Sequence, residues 1–236
     1  MRTNLPVTQQ GRTFKEEERL ISTTDLQGNI TYCNEAFIAI SGYTREELIG
    51  SPHNLVRHPD MPPPVFGHMW ATLKEGKPWM GIVKNRCKNG DFYWVSAYVT
   101  PILEQGRVIG YESVRSLPSA SEVRRAGELY ARINAGKAPV PMTRRLGSAI
   151  AACWSTVAAT GVILGGHFVL NDPAQTVLIV AALLGISAHQ LYRQRASIER
   201  ILADHPKMFS SAVVAPTYSD QVGAPARLDL ALHSEA

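Results

Sequence analysis

Short runs of apolar and β-branched residues, broken by turn formers, dominate residues 20–116. Leu20-Ile21-Ser22-Thr23-Thr24 is such a run, the stretch Asp25-Leu26-Gln27-Gly28-Asn29 reads as a turn, and Ile30-Thr31-Tyr32-Cys33 completes a predicted β-hairpin. Asn34 is placed to cap the helix Glu35–Ser41, which Gly42 ends. Thr44 and Glu47 have capping-box spacing, and Gly50 stops that second short helix. Residues 51–64 carry five prolines and suit no regular element. Val65, Phe66, Met69, Trp70 and Leu73 then recur at helical spacing up to Gly76. After Pro78 the pattern predicts three strands, Met80–Lys88, Phe92–Leu103 and Val108–Ser116. They are separated by the turns Asn89-Gly90 and Gln105-Gly106, and Asn-Gly between β-rich runs is a strong hairpin signal. Val123, Ala126, Leu129, Tyr130 and Ile133 predict a linker helix, with Ser119 or Ser121 as its cap and Gly136 beyond its end.

The pattern changes after residue 144. Leu146–Leu170 is a 25-residue run without a charged side chain, and Thr176–Tyr192 is a second uncharged run of 17. A helix needs about 20 mostly apolar residues to cross a bilayer core, so the two runs predict a transmembrane hairpin. Arg144 and Arg145 precede it and Arg193, Arg195 and Arg200 follow it, while the loop at 171–175 holds only Asp172. That bias predicts a bacterial inner-membrane protein with both termini in the cytoplasm. Residues 193–236 show no sustained heptads and read as a partly disordered tail. The expected organisation is an N-terminal cap (1–18), a sensor domain (19–118), a linker helix (119–143), the hairpin (144–192) and the tail (193–236).

Charge and cysteine content narrow the function. Of 24 basic and 20 acidic groups, residues 121–200 hold nine and four, so the excess sits beside the apolar runs, and a nucleic-acid partner is not expected. Cys33, Cys87 and Cys153 are too far apart for a disulfide framework or a thiolate metal site. No phosphate-cradling glycine loop, nucleophile elbow or His-Glu-x-x-His word is present, so no enzymatic activity is expected.

The words STTDLQGNITYCNEAFIAISGYTREELIG, the turn Lys88-Asn89-Gly90 and the strand Tyr111-Glu112-Ser113-Val114-Arg115 resemble the PAS sensor family. Val7-Thr8-Gln9-Gln10, the stretch Pro52–Pro62 containing Arg57-His58-Pro59-Asp60-Met61-Pro62, Trp70, Trp79 and Gly81–Arg86 are similar to the PAS domain of bacterial aerotaxis receptors. The resemblance implies an α+β fold, a five-stranded antiparallel sheet with short helices on one face. It also implies FAD held without a covalent bond, whose redox state is the signal. The light-sensing flavin branch of the family uses a cysteine beside the ring, and the corresponding segment SPHNLVRHPD has none.

A flavin site needs apolar walls, a few hydrogen-bonding groups and positive charge. Phe66, Trp70 and Trp79 are candidate walls, though each also suits an ordinary core. Asn85 can donate and accept through one amide. Asn34 is a second candidate amide, with helix capping as its alternative role. Arg57 and His58 are candidates for the phosphates or ribose, with Asp60 orienting one of them. His53 and His68 rank lower, as solvent-facing or structural groups. Receptors that the chain resembles continue into a HAMP segment and a long methyl-accepting coiled coil, from which this sequence departs. The expectation is an input module that touches membrane lipid and forms a homodimer through its PAS domain or membrane helices; it is either a piece of a longer receptor or passes its state to a separate chemoreceptor or other signalling partner. A cofactor-free PAS interaction module and a haem-binding PAS with His58 or His68 as axial ligand are the alternatives.

Overall fold

The computed structural model describes residues 4–154, 156, 158–161, 173–205 and 209–234. Its centre is a six-stranded sheet. The long strands β4 (Trp79–Arg86), β5 (Phe92–Glu104) and β6 (Arg107–Ser116) pair antiparallel in sequence. Strand β6 then pairs with β2 (Leu20–Thr24), and β2 with β3 (Ile30–Cys33), giving the order β4-β5-β6-β2-β3. The five expected strands are all present. A sixth, β1 (Gly11–Arg12), lies parallel to the start of β5, with Gly11 opposite Phe92. Arg12 holds it there through Asp91, Nε to Oδ2 at 2.9 Å.

The short helices form where side chains satisfy their exposed backbone groups. Asn34 Oδ1 accepts from the Phe37 N–H at the start of α1 (Glu35–Ser41), and Gly42 closes it in the left-handed conformation that glycine takes without strain. Thr44 and Glu47 make a reciprocal capping box on α2 (Arg45–Leu48). A single 3-10 turn (His53–Val56) is the only regular structure between α2 and α3 (Pro63–Lys74). Ser119 and Glu122 make a second capping box at the start of α4 (Ala120–Asn134), the predicted linker helix.

Sheet alternation sorts the side chains into two sets. Leu20, Ser22 and Thr24 of β2, Trp79, Val83 and Asn85 of β4, Val95, Ala97 and Val99 of β5, and Tyr111, Ser113 and Arg115 of β6 share the inner face, which α3 covers. Lys84, Trp94, Ser96 and Tyr98 belong to the outer face. There Trp94 stacks on Tyr130 of α4 at 6.4 Å, and Ser96 Oγ lies 2.9 Å from Tyr218 Oη.

The C-terminal third departs from its sequence reading. Thr176–Tyr192 lies inside α6 (Pro173–Asp204), while the first apolar run is broken where α5 (Met142–Ala152) ends, and residues 162–172 lie outside the described residues. Among the described residues no helix is long and apolar enough to cross a membrane. This overturns the transmembrane hairpin and the inner-membrane placement drawn from it. The physical reason is visible in α6: an uncharged stretch of 17 residues sits at the short limit, and Arg193, Arg195, Glu199 and Arg200 continue the same helix. The tail read as partly disordered contains α7 (Ala215–Tyr218) and α8 (Ala224–His233). Glu199 on α6 pairs with Arg227 on α8 at 2.7 Å, and Arg125 of α4 donates to the carbonyls of Thr217 and Tyr218.

Candidate functional site

A cavity of about 340 Å³ opens between the inner face of the sheet, the 3-10 turn and α3. Its walls are largely apolar: Phe66, Met69, Trp70 and Leu73 from α3, and Trp79, Val83, Ala97, Val99 and Tyr111 from the sheet. Two glycines make room for its indoles. A Cβ on Gly81 would fall 2.3 Å from Cη2 of Trp79, so the ring lies where any other residue would stand. Gly28, at a left-handed φ of +84°, would bring a Cβ to 3.3 Å from the Trp70 ring. Trp70 is fixed from its other side by an edge contact with Tyr111 at 5.4 Å.

The polar groups on this wall are incomplete. Buried atoms in native proteins nearly always find hydrogen-bond partners. Among the described residues six buried side-chain polar atoms have none, and four belong to residues of this cavity: Thr24 Oγ1, Asn85 Nδ2, Ser113 Oγ and Arg57 Nε. An unsatisfied buried group costs about 1–3 kcal/mol, so four around one cavity single it out as the candidate binding site.

Two buried guanidinium groups reach the same space. Arg115 is 3% exposed, lies over the Phe37 ring at 5.0 Å and donates from Nη2 to Ser22 Oγ and His53 Nε2 at 3.0 and 2.6 Å. Burial pulls its pKa down to about 10, which leaves it charged at neutral pH. Since a guanidinium only donates, His53 Nε2 must be the acceptor and the imidazole is neutral. Burial and then the Arg115 charge push the His53 pKa down to about 3. Arg57 donates from Nη2 to Met61 O at 2.6 Å and lies 4.6 Å above the Phe66 ring, and burial lowers its pKa. Among the described residues no carboxylate pairs with either arginine. A buried positive charge without a counter-ion is costly. The cavity therefore favours a ligand with electronegative edges.

Of the residues singled out from sequence, Arg57, Phe66, Trp70, Trp79 and Asn85 come together on this cavity. A backbone bridge between Arg57 and Asn85 ties the proline-rich loop to β4. His58, Asp60 and Asn34 are elsewhere. His58 Nδ1 accepts from the Asp60 N–H at 3.2 Å, its ring meets Phe92 edge-on, and burial pulls its pKa down to about 4. The Asp60 carboxylate pairs with Lys84 at 2.7 Å, and Asp60 holds His58 through its backbone N–H, with no bond to Arg57 from its carboxylate. Asn34 spends its amide on the backbone, accepting from Ile21 and Phe37 and donating to Arg19 O, which is its capping role. His68 is outside the cavity, with Nδ1 accepting from Trp79 Nε1 at 3.1 Å.

The sequence reading missed Ser22, Thr24, Ser113 and Arg115 as cavity groups, and it ranked His53, which lines the cavity, low as a solvent-facing or structural group. For Arg115 a signal existed: it shares the phase of Tyr111 and Ser113 in β6, an apolar-side position for a charged residue. The cysteines contribute nothing here. All three are buried free thiols, and burial raises Cys87 to about 11, the opposite of a reactive thiolate.

Comparison with known proteins places this architecture. Residues 30–115 match a family model described as a PAS fold. The chain is 51% identical to the aerotaxis receptor of Escherichia coli (strain K12) over 131 residues, 56% of this chain and 26% of that protein. It is 36% identical to the nitrogen fixation regulatory protein of Klebsiella pneumoniae over 92 residues, 39% of this chain and 19% of that one. The chain thus spans about a quarter or less of the curated relatives' own length. The dark structure of the blue-light photoreceptor Aureochrome1 LOV is similar at a TM-score of 0.42 and 18% identity, covering 49% of this chain and 84% of that one. The chain carries a PAS domain similar in sequence to that of an aerotaxis receptor.

Proposed function

We propose that this PAS domain is a redox-sensing input module that holds FAD in the cavity behind its sheet. One observation carries the reading: four unpartnered buried polar atoms and two arginines without carboxylates surround a single apolar-walled space. That donor set fits a flat heterocycle with an electronegative rim. Phe66, Trp70 and Trp79 would pack on its faces, Asn85, Ser113 and Thr24 would meet its polar edge, and Arg57 and Arg115 would face its electron-rich groups.

FAD, when bound, supplies reversible two-electron chemistry in the accessible range of cellular reductants. The residues convert a change at its edge into a change in the protein. Asn85 presents both a donor and an acceptor from one amide, so rotation of that amide follows a proton gained or lost by the group it faces. A bond left unmade there costs about 1–3 kcal/mol, enough to bias a two-state element. Arg115, neutral His53 and Ser22 form a fixed positive corner that favours added negative charge in the cavity. The signal would then pass to a separate signalling protein. Neither histidine proposed as a haem ligand, His58 or His68, lines the cavity, which disfavours the haem alternative.

Fluorescence titration with FAD tests the assignment. Asn85→Ala and Arg57→Ala should each weaken binding at least about tenfold, as expected when a charge-assisted or buried hydrogen bond of about 1.5–3 kcal/mol is lost. Tyr192→Phe, a solvent-exposed change on α6, should bind as the parent does. Equal affinity in all three variants would contradict the site.

A further inference from the structure

The cavity wall is wired to the C-terminal segment through one imidazole. Trp79 lines the cavity and is fully buried, and its indole N–H donates to His68 Nδ1 at 3.1 Å. The other ring nitrogen, Nε2, lies 3.2 Å from Ser211 Oγ. An indole N–H is only a donor, so Nδ1 must be the acceptor, and in the neutral ring the proton sits on Nε2 and is donated to Ser211. Burial lowers the His68 pKa, which favours this neutral form. The chain of bonds therefore has one direction, Trp79 to His68 to Ser211. Phe209 adds a second contact, edge-on to the Trp79 ring at 6.5 Å.

Ser211 is placed to pass on a change. It is 4% exposed, its Oγ also accepts from the Val213 N–H, and it stands directly before α7. Val214, Ala215 and Thr217 beyond it are buried, and Tyr218 reaches Ser96 on the outer face of the sheet. A shift of Ser211 is thus a shift of the segment that covers the far side of the sheet. Trp79 has little freedom to move without breaking this chain, because its ring occupies the space over Gly81.

We propose that residues 209–234 are the readout element of the cavity, latched to its wall by Trp79, His68 and Ser211, so that the orientation of the Trp79 indole sets how tightly the segment docks. The coupling is reciprocal: whatever the ligand does to docking, docking does to ligand affinity. It rests on the FAD reading for the identity of the ligand, but the latch itself is testable without one.

Hydrogen exchange of residues 209–234 in the full chain gives the test. In ligand-free protein, Trp79→Phe and His68→Phe should raise exchange in the segment about fivefold, the size set by losing roughly 1 kcal/mol of hydrogen bonding. The control Tyr192→Phe, a solvent-exposed change on α6, should not. Adding FAD should change exchange in the parent and leave it unchanged in Ser211→Ala, which still binds FAD with full stoichiometry. Unaltered exchange in Trp79→Phe and His68→Phe, both folded by circular dichroism, would overturn the latch whether or not FAD binds. An equal FAD response in the parent and Ser211→Ala would overturn its role in signalling. A parent that takes up no FAD, with the latch variants still loosened, would reject only the choice of ligand.

Discussion

The inner and outer faces of one sheet treat their polar groups in opposite ways. On the outer face Ser96 meets Tyr218, Lys84 meets Asp60, and the Tyr130 hydroxyl donates to Ile82 O on β4. On the inner face Thr24, Asn85 and Ser113 keep buried polar atoms that the protein does not satisfy. The same alternating strands supply both sets, so strand propensity does not separate them. What differs is the partner: the chain folds its own later helices over one face, while on the other these described side chains leave buried polar atoms around a cavity without a hydrogen bond. The cavity on one face and the helices docked on the other are only one sheet thickness apart, a geometry suited to passing a small rearrangement through the protein.

The comparison can be broken most forcefully at Trp79. Trp79→Ala removes a fully buried indole from the cavity wall and should cost about 3–5 kcal/mol in urea unfolding followed by circular dichroism. A cost below about 1 kcal/mol would mean that the wall is not packed as described. Gly81→Ala approaches the same point from the other side. Its Cβ would overlap the indole, so a destabilisation of about 1–3 kcal/mol with loss of FAD affinity is expected.

Acid should act on the inner face before the outer. An unfolded chain protonates His53 near its ordinary 6.5, whereas the folded protein resists until about 3. Between those values the unfolded state binds more protons, so stability should be complete above 6.5 and fall as pH drops toward 3. His58, held near 4, adds to the upper part of that window. Melting temperature should fall as pH is lowered through that window, and His53→Gln should make the fall shallower. An identical slope in that variant would remove His53 from the account.

The outer face should respond less. Tyr130→Phe deletes the hydrogen bond to Ile82 O and should cost about 0.5–1.5 kcal/mol. Ser96→Ala, which frees one hydroxyl contact to Tyr218, should cost less still. Any change in FAD affinity in either should stay below the roughly tenfold loss expected of Asn85→Ala, and a larger one would show that the outer face holds the ligand directly.

Much of the fold was legible because its signals are local. Asn34, Thr44 with Glu47, and Ser119 with Glu122 cap the helices that their spacing predicts, and Asn89-Gly90 makes the expected turn. The cavity was legible where bulk or charge stands out, as at Trp70, Trp79 and Arg57. It was not legible at Ser22, Thr24 and Ser113, whose small hydroxyls look like ordinary strand residues until the register puts them on one face. His53 sits in a proline-broken segment with no periodicity to fix its direction. The helices α7 and α8, of 4 and 10 residues, are too short to be stable alone and exist through packing on α4 and α6. The membrane expectation failed for a related reason. In the sequence Arg193, Arg195 and Arg200 read as a flank beyond a span, whereas they continue the same helix, in which the uncharged stretch of 17 residues is at the short limit.

The most direct measurement is the visible absorption spectrum of the purified chain after incubation with excess FAD and removal of free nucleotide. A protein-bound flavin spectrum at close to one equivalent per chain, bleached by dithionite and restored by air, is the predicted result. A folded protein that emerges colourless would contradict the account.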